Sequence, residues 1–100
     1  MLRGTHFALH YCPNEAGGAR LGLVVAKKLA KRAVQRNLVK RIARDVFRHA
    51  RATLPPYDLV LRLSARLDDV TRRAMREEMF GLFERLPRAK ATGSIGKAAP

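Results

Sequence analysis

The sequence has one cysteine, no tryptophan and no long apolar run. The single cysteine, Cys12, excludes an internal disulfide and is typical of a protein from a reducing compartment. No segment reaches the roughly 18 consecutive apolar residues that a membrane-spanning helix needs. The amino terminus also lacks the apolar core of a secretory signal peptide. We therefore predict a cytoplasmic protein.

Acidic residues are scarce as well. Eight aspartates and glutamates stand against 21 lysines and arginines, which gives a formal net charge of +13 over 100 residues. Such an excess of one sign usually marks a polyanionic partner, either nucleic acid or an anionic membrane surface. The length suits one domain, which we place at residues 1–86. The basic tail, 87–100, has Ile95 as its one large apolar side chain and is predicted to be disordered.

The sequence shows no arrangement of residues suited to catalysis. Neither a carboxylate pair nor a cysteine cluster accompanies the histidines at positions 6, 10 and 49. No serine–histidine–acid set and no glycine-rich phosphate loop before a helix can be identified. We predict surface roles for His6 and His10, and no catalytic or metal-binding side chain.

Three segments have the pattern of β-strands. Residues 6–11 alternate between larger apolar and smaller or polar side chains, and residues 20–28 are almost continuously apolar. The short loop at 13–18 predicts that these two strands form an antiparallel hairpin. Residues 58–63, DLVLRL, are the third predicted strand. Together with two helical segments, the pattern indicates an α+β domain.

The two helices have recognisable ends. The first is predicted over residues 31–53, where two consecutive prolines stop it. Asp68 or Asp69 is the predicted cap of the second helix, which Pro87 ends. Its apolar residues recur at helical spacing, which predicts a buried face.

The first helix separates into two faces at about 100° per residue. Its apolar face needs a core to pack against, and its basic face has too few acids for neutralisation within the helix. The predicted apolar face consists of Val34, Leu38, Val39, Ile42, Ala43, Val46 and Ala50. The predicted basic face consists of Arg36, Asn37, Lys40, Arg41, Arg44, Arg48 and Arg51. Rows of cations on one face can meet consecutive phosphates and release their counterions, so we predict a nucleic-acid interface.

At this point the sequence resembles a known family. The run from position 22 to position 48 is similar to the signature of the bacterial ribonuclease P protein component. The matching residues are Lys27, Lys28, Ala33, Val34, Arg36, Asn37, Lys40, Arg41, Arg44 and Phe47. The similarity extends over roughly residues 7–86.

The resemblance implies a fold and a function. The implied fold is a small two-layer α+β sandwich with a mainly antiparallel four-stranded sheet, packed helices and a left-handed βαβ crossover. The implied function is that of the non-catalytic protein subunit of an endoribonuclease. Such a subunit binds a catalytic RNA and the 5′ leader of precursor tRNA. It assists removal of the leader in a reaction that depends on Mg²⁺, which is held mainly by the RNA, and no stable protein partner is expected.

The resemblance also extends the expected site. The RNA-binding set is Lys27, Lys28, Arg32, Arg36, Asn37, Lys40, Arg41, Arg44 and Arg48. The sheet face beside the helix is expected to form the leader cleft. Strand alternation assigns to that cleft Ala8, His10, Val24, Ala26 and Lys28.

The sequence differs from the family pattern in two places, and each difference leads to a prediction. Members usually have a further helix before the first strand, whereas this sequence begins at Met1 almost on that strand, so we expect that helix and its aromatic contacts to the leader to be absent. Leu38 stands where the family commonly has a basic residue, so one RNA contact is expected to be missing.

Two other functions fit the charge. One is a ribosomal or other structural RNA-binding protein, against which the spacing of the signature argues. The other is a membrane-surface helix, but the apolar face has valine, isoleucine and alanine where such a helix needs bulkier side chains.

Overall fold

The computed structural model describes residues 1–87, and the predicted disordered tail lies outside them apart from Pro87. The described chain forms four strands, two α-helices and one short 3₁₀ turn. In chain order these are β1 (Leu2–Arg3), β2 (Phe7–Pro13), β3 (Arg20–Val24), α1 (Ala33–Ala50), the 3₁₀ turn (Arg51–Thr53), β4 (Tyr57–Leu63) and α2 (Arg72–Glu84).

The four strands form one sheet in the order β1-β2-β4-β3. β1 pairs with β2 and β2 with β4 in antiparallel fashion, whereas β3 and β4 are parallel. The predicted α+β class and the mainly antiparallel four-stranded sheet are therefore confirmed. β3, α1 and β4 make the expected βαβ crossover. Its left-handed sense stays a prediction.

The predicted hairpin is wrong, because β4 lies between the two strands that were expected to pair. Leu59, Leu61 and Leu63 of β4 are almost fully buried, so this strand occupies the centre of the sheet. Residues along β3 alternate between exposed and half-buried, which suits the edge position that β3 has.

β3 also ends earlier than predicted, at Val24 and not at Lys28. The chain turns there, because the carbonyl of Ala26 accepts hydrogen bonds from the N–H groups of Leu29 and Ala30, both at 3.1 Å. Strand alternation therefore does not fix the directions of the Ala26 and Lys28 side chains.

The core lies between one face of the sheet and the two helices. From α1 it takes Val39, Ile42, Ala43, Val46 and Ala50, as the apolar face predicts. Val34 is the exception: it lies in the first turn and is 67% exposed, so its assignment to the buried face is wrong. Leu38 is half-buried against the core.

The start of α2 differs from the prediction. Neither Asp68 nor Asp69 caps the helix, because the cap is Thr71, whose hydroxyl accepts a hydrogen bond from the N–H of Ala74 at 3.0 Å. Asp69 instead has a φ of 56°, a left-handed conformation that aspartate tolerates better than most residues. The chain bends there before the helix begins.

Glu78 of α2 holds the connection between β1 and β2. Its Oε2 accepts hydrogen bonds from the N–H groups of His6 and Phe7, both at 2.7 Å, and its side chain is only 14% exposed. The ring Nδ1 of His6 lies 3.2 Å from Oε1 of the same carboxylate. His6 is thus half-buried and has a structural partner, where a surface role was predicted.

Gly4 lies against this carboxylate, and Gly4→Ala is expected to destabilise the fold by about 1–3 kcal/mol. A methyl group there would come within 3.0 Å of Cγ and Cδ of Glu78, and closer still to Oε2. The carboxylate would have to leave the two part-buried N–H donors of His6 and Phe7. Urea denaturation of the variant beside the wild-type chain measures the effect.

Gly81→Ala is the matched control for that experiment. Gly81 lies within α2 with no atom in the way of a methyl group. Alanine should therefore stabilise the helix by about 0.5–1 kcal/mol. A Gly4→Ala variant as stable as wild type would contradict the role assigned to Glu78.

Candidate nucleic-acid interface

The exposed face of α1 forms a shallow groove of about 520 Å³, which we call the α1 groove. Five residues of the predicted RNA-binding set line it together with one acid. The lining residues are Asn37, Lys40, Arg41, Arg44, Asp45 and Arg48. They come together because a spacing of three or four residues returns to the same side of a helix.

The acid in the α1 groove is neutralised by two arginines. Asp45 Oδ2 accepts a hydrogen bond from Arg76 Nη1 of α2 at 2.5 Å, and Oδ1 accepts one from Arg48 Nη2 at 2.6 Å. The hydrogen bond from Arg76 is the main reason that the pKa of Asp45 is lowered. Asp45 therefore stays ionised and paired at neutral pH, and the groove keeps its positive character.

Three cations of the α1 groove have no such partner. Within residues 1–87, the side chains of Lys40, Arg41 and Arg44 make no hydrogen bond or ion pair with another residue. Arg41 and Arg44 are exposed and Lys40 is half-buried. Their charges are available to an anionic ligand, which is what a row of phosphates requires.

Arg36 is placed differently from the rest of its predicted set. Its Nη1 donates to the backbone carbonyls of Ala30 and Lys31, both at 2.9 Å, and the residue is half-buried. In this arrangement its guanidinium ties the turn after β3 to the first turns of α1. Arg36 does not line the α1 groove.

The remaining cations of the set lie at the amino-terminal end of α1. Lys28 and Arg32 line a depression of about 270 Å³ together with Lys31 and Arg66. Lys27 is exposed in the preceding turn. The structure thus divides the predicted RNA-binding set between the α1 groove and the amino-terminal end of the same helix.

A second groove, of about 500 Å³, lies on the sheet face that the helices leave open. It contains three of the predicted cleft residues, Ala8, His10 and Lys28. Val24 lies beside it, because it pairs with Arg62 in the same row as Ala8. Ala26 lies in the turn beyond the strand and not on this face. We call this surface the sheet groove.

Sequence reasoning missed two cations of the sheet groove, Arg3 and Arg62. Arg62 alternates with the buried Leu61 and Leu63 of β4, so its outward direction was readable from the sequence DLVLRL. Arg3 belongs to the two-residue strand β1, which is too short to give a pattern.

The carboxylates of the described chain do not fit a resident metal site. No group of three or more histidine, cysteine, aspartate or glutamate residues within positions 1–87 could hold an ion. Asp58 pairs with Arg20 at 2.8 and 3.0 Å and accepts a hydrogen bond from Asn14 at 2.9 Å. The bond from Arg20 is the largest cause of the lowered pKa of Asp58.

Within residues 1–87, no helix combines the length and apolar character needed to cross a membrane.

Comparison with known proteins gives consistent matches. Residues 1–87 match the family model described as Ribonuclease P. The ribonuclease P protein component of Azoarcus sp. (strain BH72) is 57% identical over 86 residues, which cover 86% of this chain and 72% of that protein. The corresponding protein of Aromatoleum aromaticum is 51% identical over 84 residues, which cover 84% of this chain and 71% of the relative.

Solved structures of similar fold belong to the same family as the sequence matches. The RNase P protein from Thermotoga maritima, in complex with 1-(4-fluorophenyl)-2-thiourea, superposes with a TM-score of 0.77 at 28% identity, covering 86% of this chain and 84% of that one. The RNase P protein of Staphylococcus aureus gives a TM-score of 0.76 at 26% identity, covering 83% of this chain and 76% of that one.

Proposed function

The chain belongs to the ribonuclease P protein family, and from this we propose that it binds a catalytic RNA and the 5′ leader of precursor tRNA. In this role it assists Mg²⁺-dependent removal of the leader and supplies no catalytic group itself. The observation that carries the proposal is the row of unpaired cations Lys40, Arg41 and Arg44 on the exposed face of α1. A charged helix face that is merely solvated usually carries both signs, whereas Asp45 is the one acid of α1 and is already paired with Arg48 and Arg76.

The two grooves suit two different RNA partners. The α1 groove is rich in arginine, whose planar donors bind phosphates in pairs. It therefore suits the backbone of a large folded RNA. The sheet groove is lined by the small side chains of Ala8 and Ser64 and by the cations Arg3, Lys28 and Arg62, among others. Such a channel suits a flexible single strand.

Mg²⁺ is assigned to the RNA in this proposal. No group of three or more acids, histidines or cysteines in residues 1–87 could hold an ion, and Asp45 and Asp58 are paired with arginines. The contribution of this chain is electrostatic: its cations hold phosphates in place near the ions that the RNA binds.

The proposal predicts a clear division of activity. Rigorously RNA-free protein should not cleave precursor tRNA at any Mg²⁺ concentration, because no side-chain arrangement for phosphodiester hydrolysis is present in residues 1–87. The same protein added to ribonuclease P RNA should accelerate removal of the leader. Gel analysis of end-labelled precursor tRNA measures both.

Recovery of RNA bound to the tagged chain in cells is the companion experiment. One structured RNA of several hundred nucleotides, together with precursor tRNA, is the expected yield. Ribosomal RNA in its place would favour the structural RNA-binding alternative. Cleavage by the RNA-free protein would overturn the non-catalytic role.

A further inference from the structure

A third depression lies between the edge strand β3 and helix α1, and we call it the β3–α1 cleft. Its volume is about 320 Å³, and five residues line it: Leu21, Leu23, Lys40, Arg44 and Phe47. It shares Lys40 and Arg44 with the α1 groove but opens on their other side, towards the sheet. It shares no residue with the sheet groove.

The floor of the β3–α1 cleft is apolar and fixed. Leu21, Leu23 and Phe47 are each half-buried against the core, so each still shows part of its surface. The Phe47 ring rests on Phe83 of α2, with ring centroids 6.1 Å apart and planes tilted by 57°. A ring supported from behind offers a rigid aromatic surface to a ligand at little entropic cost.

The rim of the cleft is positively charged. Lys40 and Arg44 lie one helical turn apart, and neither forms a side-chain hydrogen bond or ion pair within the described part of the chain. On the opposite side, β3 is an edge strand, so half of its backbone groups face away from β4 without a strand to pair with. Two cations and an aromatic floor therefore lie together in one small volume, beside an edge strand.

We propose that the β3–α1 cleft receives a single unstacked nucleotide of the bound RNA. Its base lies against Phe47 and the two leucines, while Lys40 and Arg44 hold the flanking phosphates. Proteins recognise single-stranded RNA by stacking splayed bases on aromatic side chains beside cations. The cleft volume is at the lower end for ligand pockets, which fits one nucleoside and excludes a helix.

This inference rests on the proposed function only for the class of partner, RNA. A second copy of the chain pairing with the β3 edge is disfavoured, because both copies carry a net charge of +13. An uncharged peptide strand would leave Lys40 and Arg44 without a counter-charge. RNA offers both an aromatic base for the apolar floor and phosphates for the two cations of the rim.

The first test is an NMR titration of the full chain with hexaadenylate, and with a hexamer of the same phosphate count that lacks all bases. The methyl signals of Leu21 and Leu23 are expected to move upfield with hexaadenylate, because an adenine ring would lie over them, and to stay in place with the abasic hexamer. Equal shifts with both hexamers would mean that only phosphates are recognised, and would overturn the proposal. Unshifted methyl signals, or no hexamer binding at low salt, would overturn it too.

The second test is affinity. Phe47→Leu keeps an apolar side chain but removes the aromatic face, and should weaken hexaadenylate binding by about 5- to 150-fold, the loss expected for one base–aromatic stack. Val34→Ala is the control, because Val34 is exposed on the same helix outside the cleft. The affinity of this variant for hexaadenylate should equal that of the wild-type chain. Thermal unfolding shows that each variant is folded at the temperature of the assay. Equal affinity of Phe47→Leu and wild type would exclude Phe47 as a stacking surface.

The tests of the nucleotide cleft and the tests of the ribonuclease P role can fail independently of each other. Binding of hexaadenylate needs no catalytic RNA, so base-specific shifts combined with ribosomal RNA in cells would reject only the ribonuclease P role. Full activity with ribonuclease P RNA but no base-specific shift would reject only the nucleotide cleft. Concentration-dependent shifts of the β3 amides without RNA would indicate self-pairing, and would overturn the nucleotide assignment.

Discussion

Ile42→Ala is expected to lower the free energy of unfolding by about 2–5 kcal/mol, the usual cost of emptying a buried isoleucine site. Ile42 is only 3% exposed and belongs to the core shared by the sheet and both helices. Because small domains are stabilised by only about 5–15 kcal/mol in total, the loss is a large fraction of the whole. Thermal and urea unfolding followed by circular dichroism measure it.

The neighbouring residue is the matched control. Arg41 is exposed, lines the α1 groove and lies about 100° around the helix from Ile42. Arg41→Ala should leave stability nearly unchanged and weaken binding to ribonuclease P RNA by about 1–3 kcal/mol, as for a lost charge-assisted contact. Filter binding gives the affinity. If both variants lost the same stability, the assignment of the two faces would be wrong.

The faces of α1 were predictable because helical periodicity is a local property. Val39, Ile42 and Val46 fall on the buried side both in the sequence pattern and in the structure. Val34 has the same periodic position but is exposed in the first turn. Periodicity gives the direction of a side chain, but whether another layer extends far enough to cover it depends on the rest of the fold.

Strand pairing was less predictable for a related reason. The alternation in β2, β3 and β4 identifies each as a strand, but pairing depends on which strand is most completely buried. The buried leucines of β4 fill the centre of the sheet, and β3 is displaced to its edge. A short loop between β2 and β3 favours a hairpin only when no third strand competes for that position.

The residues of the candidate site also differ in how far the sequence alone could predict their positions. Lys40, Arg41 and Arg44 could be grouped from the sequence, because one helix carries all three. Arg76 could not, since it reaches Asp45 only through the packing of α2 on α1. Arg36 has the correct phase for the basic face, but its long side chain folds back onto the carbonyls of the preceding turn. The phase of a residue on a helix does not determine where a flexible side chain ends.

Replacing Lys40, Arg41 and Arg44 together by glutamine is expected to have the largest effect on RNA binding. Each lost phosphate contact removes about 0.7–0.9 from the slope of log K against log salt concentration, so the slope should fall by about 2–3. At a fixed moderate salt concentration, the affinity for ribonuclease P RNA should drop by at least about 100-fold, since each charged contact contributes about 1 kcal/mol or more. Filter binding over a series of salt concentrations measures both quantities.

The control must remove the same charge elsewhere. Glutamine at Arg72, Arg73 and Arg85 also lowers the net charge of +13 by three, and these exposed residues neither belong to α1 nor line the α1 groove. If the groove binds phosphates directly, this second triple variant should keep most of the slope and most of the affinity. If general attraction between a basic protein and a polyanion were sufficient, both variants would lose affinity and slope equally. Equal losses would therefore show that the RNA does not distinguish the α1 groove from the rest of the basic surface.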